Sequence, residues 1–568
     1  MLRPVPNIED YGITAEHGFL PEQPPATELP AYYAPWETTV GNLQPLILAG
    51  RLRNTIENMP VLSLEYLEST PEWRRAYSIL GFLLHGYIWG GDQPADVMTL
   101  FIYLFLIVIL FLFLFGGFLL FPLHRHLLLH VMSYISITTM ITINFPIQAR
   151  AADKICLQEI PQPLAVPLLK VAAHLELPPV ATFAGLCLWN YRLIFPDEPA
   201  DSLDNLATLF TFTGSLDEQW FYLVSIAIEA RGARSIPLML KAIAAARADD
   251  VAEVTECLTK FAEVVDEVNM ELQKMYKHCD PHVFYHRIRP FLAGSKGMAE
   301  LPRGILFDDG SGFQEYKHYR GGSNAQSSLI QFFDIVLGVE HRPTGESRPK
   351  PTSSPLPTSS SSDESGEGRK RWHNFLMEMR TYMPGPHRKF LEHVSSVSNI
   401  QNYVQAHQSN TELVTAFNTA VAMVKAIRTT HITMVSRYIV VKSREERNTK
   451  VPTSSPVTET GLNRPESQPL STPGGMLMSN RPSKGEKKAP LRGTGGTALI
   501  PFLKQARDET GEAAIGPWAK KLLDKAGVQA PKVASLSKLD EHADGQKQIV
   551  GLAGTWSMDE GEGGLCHW

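Results

Sequence analysis

The sequence predicts an all-α protein with a small N-terminal helical domain and a larger helical domain, joined and interrupted by long loops. Three observations predict it. Apolar residues recur at three- and four-residue steps over long stretches, as in Val254, Leu258, Phe261, Val265, Val268 and Leu272, the spacing that lines one face of a helix. No stretch in the second half alternates apolar and polar residues with period two, as a half-buried strand would. Helix-start signals fall where the helical patterns begin, with Ser235 ahead of Pro237 and Asp280 ahead of Pro281. At 568 residues, 44% hydrophobic and 20% charged, the chain has enough apolar side chain for two or three domains with real cores.

In chain order, the first forty residues are Pro-rich and read as an extended segment wrapped onto the rest. Helical patterns follow over about 42–58 and 70–89, the second closed by glycines. Residues 97–152 then contain no Asp, Glu or Lys, and 100–121 is an uncharged apolar run long enough to cross a bilayer. Two expectations compete for this segment. It is a membrane anchor, or it is a translated intron, because its flanks nearly repeat as PAD and AAD and a single span in mid-domain would pull one core to both sides of a membrane. The predicted organisation is therefore 1–96 as the first part of the small domain, 97–152 as the apolar insertion and 153–205 as the second part. The large domain covers 206–442 with a disordered Ser/Pro-rich loop at 344–368, then a disordered linker at 443–491, a glycine loop with a helix at 492–512, and a weakly helical tail at 513–568.

Several function classes are excluded. A net charge of −6 with Lys and Arg scattered among acids argues against a nucleic-acid partner. The five cysteines form no CxxC, zinc or CxxCH spacing and read as reduced, buried thiols. The N-terminus has no apolar core behind its Arg and is no secretory signal, so a cytoplasmic location is expected, with a membrane only if 97–152 is an anchor. His124, His126 and His130 cluster without an acidic or Cys partner and are set aside.

The candidate site begins at 411–440. There Leu413, Phe417, Val421, Val424, Arg428, His431, Val435 and Tyr438 form one helical stripe. A lone histidine on such a stripe is more often a satisfied core residue than a ligand. Arg428, however, cannot be buried without a carboxylate, and Asp334 in the apolar run FFDIVLG needs a partner too. Pairing them would fix the His431 helix. Two glycine-rich turns, 321–328 and 493–497, each lead into a helix and offer N–H groups to an anion. With the aromatic pair Phe221 and Tyr222, these features suggest a non-covalent haem held by one proximal histidine.

The motifs GFLP, YYAPWE, LELPPVATFAG, WFYLVSIAIEA, FYHRIRPFLAGSKGM, RGGSNAQSSLIQFFDIVLG, MRTYMPGPHRKFL, RTTHITMVSRYI and GTGGTALIPFLK occur in this order, and over them the chain resembles the indoleamine 2,3-dioxygenases. That resemblance implies a haem b enzyme that inserts O2 across the indole C2–C3 bond of L-tryptophan to give N-formyl-L-kynurenine, the first step of the kynurenine route toward NAD, with an electron donor keeping the iron ferrous. It implies His431 as the axial iron ligand, Arg428 and Asp334 as its supporting pair, and Gly322, Ser323 and Thr494 as residues bordering haem and substrate. Phe183, Phe221, Ser225 and Phe284 would line the indole pocket, and Arg289 would hold the substrate carboxylate, with Ser225, Arg289 and Phe284 nearest the reaction. Ser225 is not expected to act as a nucleophile, and WFYLVSIAIEA offers no distal histidine base, unlike the tryptophan 2,3-dioxygenases. The alternatives are a haem-binding sensor or scaffold of the same fold without turnover, and a membrane-anchored form. On residue type alone, Phe221 and Phe284 would be plain core and Arg289 could simply be exposed.

Overall fold

A computed structural model describes residues 3–91, 159–298, 300–312, 315–344, 375–449, 493–494, 498–528, 548–551 and 554–557. They form two compact units, Met1–Ile515 and Gly516–Trp568.

The first unit is built on two long helices, Val251–Gln273 and Thr411–Val435, which share its most extensive helix-to-helix contact. Each starts at a capping side chain. Asp250 accepts from the Glu253 N–H and Asn410 from the Leu413 N–H, both at 3.0 Å, satisfying donors that a helix start leaves open. The apolar stripe of the first is buried throughout, as are Leu413, Phe417, Val421 and Val424 of the second. Each such side chain stabilises the fold by about 1.5–3 kcal/mol relative to exposure. Helices Ser235–Arg247 and Leu216–Gly232 pack on the same frame. Ser235 is the first helical residue rather than the cap, and its hydroxyl donates to the Gly232 carbonyl at 2.6 Å.

Near the N-terminus the expected helix over 70–89 spans Thr70–Trp89, with Glu72 accepting from the Ser69 N–H at 2.9 Å. The expected 42–58 helix is broken into Leu43–Leu48 and Leu52–Glu57, because Gly50 turns the chain at φ 63°. The Pro-rich segment is not extended to its end either. Ala34–Gly41 is helical, with Pro35 in the first turn, where a missing N–H costs nothing.

His85 of the Thr70–Trp89 helix ties this region to the rest. Its Nε2 accepts from the Ala181 N–H at 3.2 Å and its Nδ1–H donates to the Phe291 carbonyl at 2.6 Å. Burial lowers its pKa to about 4, so the ring is the neutral tautomer that makes both bonds.

Strands are few and short. Glu159–Ile160 runs parallel to Ile305–Phe307, which pairs antiparallel with Tyr316–Lys317, and Tyr191–Leu193 pairs with Leu206–Thr208. The fold is all-α, as the periodicity predicts. Helix Lys442–Thr449 runs into the segment expected to be linker, and the rest of 443–491 lies outside the described residues. So do 97–152 and 345–368. Among the described residues no helix is long and apolar enough to cross a membrane. The second unit contains helix Pro517–Val528 and a small antiparallel ribbon, Gln548–Gly551 with Gly554–Ser557, where only weak helical character was expected; Ile549, Val550, Thr555 and Trp556 are strand-forming types.

Candidate active-site cavity

Between the His431 helix and the Leu216–Gly232 helix lies a cavity, partly open to solvent, with about 1240 Å³ of space between atoms when its mouth is included, adjoined by a second of about 900 Å³ on the same measure. The walls are mostly apolar with a few polar groups, the usual character of a small-molecule site. Phe183, Phe221, Ser225, Phe284, Arg289, Gly322, Ser323, His431 and Thr494 all line the larger cavity. Phe183, Ser225 and His431 also line the second, with Arg428. Asp334 lines neither and reaches the site through Arg428.

Local structure explains the convergence. Leu216–Gly232 presents Phe221, Ser225 and Ile228 at helical spacing. Three π-helical turns, Ala184–Leu188, Phe284–Ile288 and Ser436–Val441, each carry cavity-lining residues: Leu186 and Cys187, Phe284, and Tyr438 and Ile439. Such turns cluster at functional sites because the extra residue re-aims a side chain. The Phe221 and Phe284 rings meet at 5.0 Å, and Phe284 meets Tyr438 edge-on at 5.7 Å, so one aromatic wall joins three elements. Gln326 joins two more. Its Oε1 accepts from the Phe183 N–H at 2.8 Å and its Nε2 donates to the Gly321 carbonyl at 2.9 Å.

The glycine turn at 321–328 differs from the expected anion cradle. The N–H groups of Gly321, Ala325, Gln326 and Ser327 already bond to Thr494 O, Ser323 Oγ, Ser323 O and Asn324 O, so four donors are turned inward. Its glycines serve close packing instead: a Cβ on Gly321 would lie 2.0 Å from the Leu292 carbonyl oxygen. Thr494 Oγ1 donates to the Gly322 carbonyl at 2.8 Å, pinning the start of the second glycine turn onto the first. Residues 495–497 lie outside the described residues.

His431 is enclosed by protein yet bared to the cavities, and neither ring nitrogen has a hydrogen-bond partner among the described residues. Burial, reinforced by the Arg428 charge, lowers its pKa to about 4, so the imidazole is neutral with a lone pair available. Arg428 Nη2 donates to Asp334 Oδ2 at 2.6 Å, and its Nη1 donates to Thr510 Oγ1. Burial would raise the Asp334 carboxyl, but Arg428 and then His341 outweigh it and hold its pKa at about 2.

Arg289 is largely buried rather than exposed. Burial lowers its pKa, and its guanidinium lies over the Tyr285 ring, 5.5 Å from the centroid. Ser225 Oγ donates to the Phe221 carbonyl at 3.2 Å, a bond that ties the hydroxyl to its own helix. His431 is the only imidazole among the described residues lining either cavity. Among the described residues no three metal-ligating side chains gather, so a metal at His431 would have to bring its other donors.

Sequence reasoning missed two lining groups. Cys187 is fully enclosed, and burial raises its thiol far above the usual range, keeping it protonated. Glu229 lines the smaller cavity. Its Oε1 accepts from Ser327 Oγ at 2.6 Å while Oε2 has no hydrogen-bond partner among the described residues. Burial pushes its carboxyl up to about 7, with Ser327 opposing. A signal existed, because Glu229 is four residues past Ser225 on the same helix face.

Comparison with known proteins adds the family. A family profile described as indoleamine 2,3-dioxygenase matches residues 7–107 and 128–513; the unmatched gap falls inside the apolar segment. An indoleamine 2,3-dioxygenase of Aspergillus candidus is 34% identical over 511 residues, covering 89% of this chain and 96% of that protein. One from Saccharomyces cerevisiae is 33% identical, covering 90% and 94%. A 6-hydroxytryptophan 2,3-dioxygenase of Fusarium equiseti is 32% identical, covering 89% and 98%.

Proposed function

The chain belongs to the indoleamine 2,3-dioxygenase family, and from that membership we propose that it inserts both atoms of O2 across the indole C2–C3 bond of L-tryptophan, giving N-formyl-L-kynurenine. It is an oxidoreductase of the dioxygenase class. The observation that carries the reading is a neutral imidazole, His431, without a hydrogen-bond partner among the described residues, facing the same cavity as an aromatic wall and the half-buried guanidinium of Arg289.

These residues fit haem b. A lone protein ligand suits a metal whose other donors come with its own macrocycle, and the apolar walls suit a flat apolar group. His431 would supply the protein's nitrogen to the iron, Arg428 with Asp334 would hold its helix in place, and Gly322, Ser323 and Thr494 would border the group. Bound there in its ferrous state, maintained by an electron donor, haem supplies the O2 chemistry that side chains lack.

The chain's own work is placement. Phe183, Phe221 and Phe284 hold the indole plane and keep water out. Arg289 pairs with the substrate carboxylate through its two-pronged donor face, and Thr494 takes the ammonium group. Ser225, bonded to the Phe221 carbonyl, packs against the ring and removes no proton. With Cys187 protonated and no second imidazole among the lining residues described, the proposed reaction proceeds without a histidine base. A cytoplasmic place early in tryptophan breakdown accords with this chemistry.

The test is turnover by purified, haem-loaded protein with a reductant, offering L-tryptophan and 6-hydroxytryptophan separately. The reading expects formation of the N-formyl product from L-tryptophan. Turnover of the hydroxylated substrate alone would move the assignment to the activity that names the Fusarium relative. A normal haem spectrum with neither substrate consumed would mark a binding protein.

A further inference from the structure

His341 lies in the short segment after the Asp334 helix, and the reaction above assigns it nothing. Its ring is 8% exposed and sits between two carboxylates: Nδ1 is 2.7 Å from Glu509 Oε2, and Nε2 is 3.1 Å from Asp334 Oδ2. Carboxylates only accept, so both nitrogens must carry hydrogen and the ring that fits this position is the imidazolium. Glu509 belongs to helix Leu499–Glu512. The same helix sends Leu499, Phe502 and Leu503 into the larger cavity and Ala506 into the smaller one. We propose that protonated His341 is a positioning residue, holding the Leu499–Glu512 helix as a wall of the cavity against the helix that carries His431.

The other polar ties of that wall come from the same two places. Arg428 donates to Thr510, Arg342 donates to Glu512 at 3.0 Å, and Gln505 donates to the carbonyls of Arg342 and Pro343 at 3.2 and 3.1 Å. Facing His341 are Asp334 from helix Ser328–Val336, Glu509 from the wall and Arg428 from the His431 helix. Arg342 stands beside Glu509 at 3.4 Å, and Arg380 acts on Asp334 from farther off. The Asp334 carboxylate is shared with Arg428. The Glu509 carboxylate is 3% exposed and depends on His341 as its nearest cation. Glu509 Oε1 also accepts from Gln505 Nε2 at 2.8 Å and from the Arg342 N–H at 3.1 Å, and Asp334 keeps Arg428. A neutral imidazole has one donor, so loss of the proton removes one of the two bonds that join Asp334 to Glu509 through the ring, and with it the cation between two buried carboxylates. Burial lowers the His341 pKa, but Asp334 and Glu509 outweigh it and raise it above the ordinary value. The tie is therefore intact at and below neutral pH and is lost as pH rises through that raised value. Position 341 thus couples the pH of the medium to the fit of the cavity.

Hydrogen exchange read by mass spectrometry tests this on the full chain. At each pH the protection of 499–512 is divided by that of 251–273, which cancels the intrinsic pH dependence of exchange. The ratio should fall roughly tenfold or more between about pH 6 and about pH 9 in the unaltered protein. It should be low throughout in His341→Gln and high throughout in His341→Arg, which stays charged. The KM for L-tryptophan should rise with the fall in protection while kcat changes less. A flat ratio in the unaltered protein, or a Gln variant as protected as the parent at pH 6, overturns the proposal. The unaltered protein's own pH series decides if the Gln variant fails to fold. A protein that turned over no tryptophan would sink the proposed reaction and leave the exchange ratio readable.

Discussion

Replacing Asp334 with Asn removes the anion between Arg428 and His341 while keeping shape and size. Arg428 and His341 hold the folded carboxyl at about 2 against an ordinary 3.8, and at about 1.36 kcal/mol per pH unit that difference corresponds to roughly 2–3 kcal/mol of stability at neutral pH. Breaking one side of a buried ion pair costs about 3–5 kcal/mol in general. Here the lower figure wins, because Arg428 keeps Thr510 and His341 keeps Glu509. The folded value lies below the unfolded one, so the contribution is complete above about pH 4 and fades as pH falls through about 2; at pH 3 about half remains. Urea unfolding followed by tryptophan fluorescence at pH 7 and pH 3 measures it. Asp334→Asn should be less stable by roughly 2–3 kcal/mol at pH 7 and by about half that at pH 3. A difference under about 0.5 kcal/mol at pH 7, or one unchanged at pH 3, would refute the buried-pair account.

Arg289→Ala should leave the haem spectrum intact and lower kcat/KM for L-tryptophan by about 10- to 150-fold, the worth of a charge-assisted bond of roughly 1.5–3 kcal/mol; Arg289→Lys should recover little, and full activity in the Ala variant would put the carboxylate elsewhere. Phe261→Ala, which empties a site in van der Waals contact with the Phe333 ring at a centroid distance of 5.3 Å, should cost about 3–5 kcal/mol by urea unfolding. A chain joining Asp96 directly to Lys154 should fold, bind haem and oxidise tryptophan as well as the full chain does; loss of haem and activity in it would show that the segment belongs to the enzyme. Mature transcripts that uniformly retain the 97–152 segment would count against its being an intron.

The parts of the fold legible in the sequence are those where one physical signal dominates. Val251–Gln273 and Thr411–Val435 combine a long helical stripe, apolar except for Arg428 and His431 on the second, with a capping side chain, and both are where the pattern puts them. The 42–58 pattern failed because apolar spacing says nothing of the left-handed turn at Gly50. The three π-turns at the cavity have no sequence signature, since an extra residue in a turn is decided by what the side chains pack against. At the site, Arg428 and Asp334 were found because a buried charge demands a partner. His341 was not, because it follows Gly338 in a segment without periodicity and its partner Glu509 is 168 residues away.

If His431 organises the cavity as a haem site, His431→Ala removes the nitrogen that would hold the iron. Absorbance of the purified protein should show normal haem in the parent and little in the variant, with the folded helical content of both unchanged by circular dichroism. Full haem loading in a folded His431→Ala protein would contradict the claim.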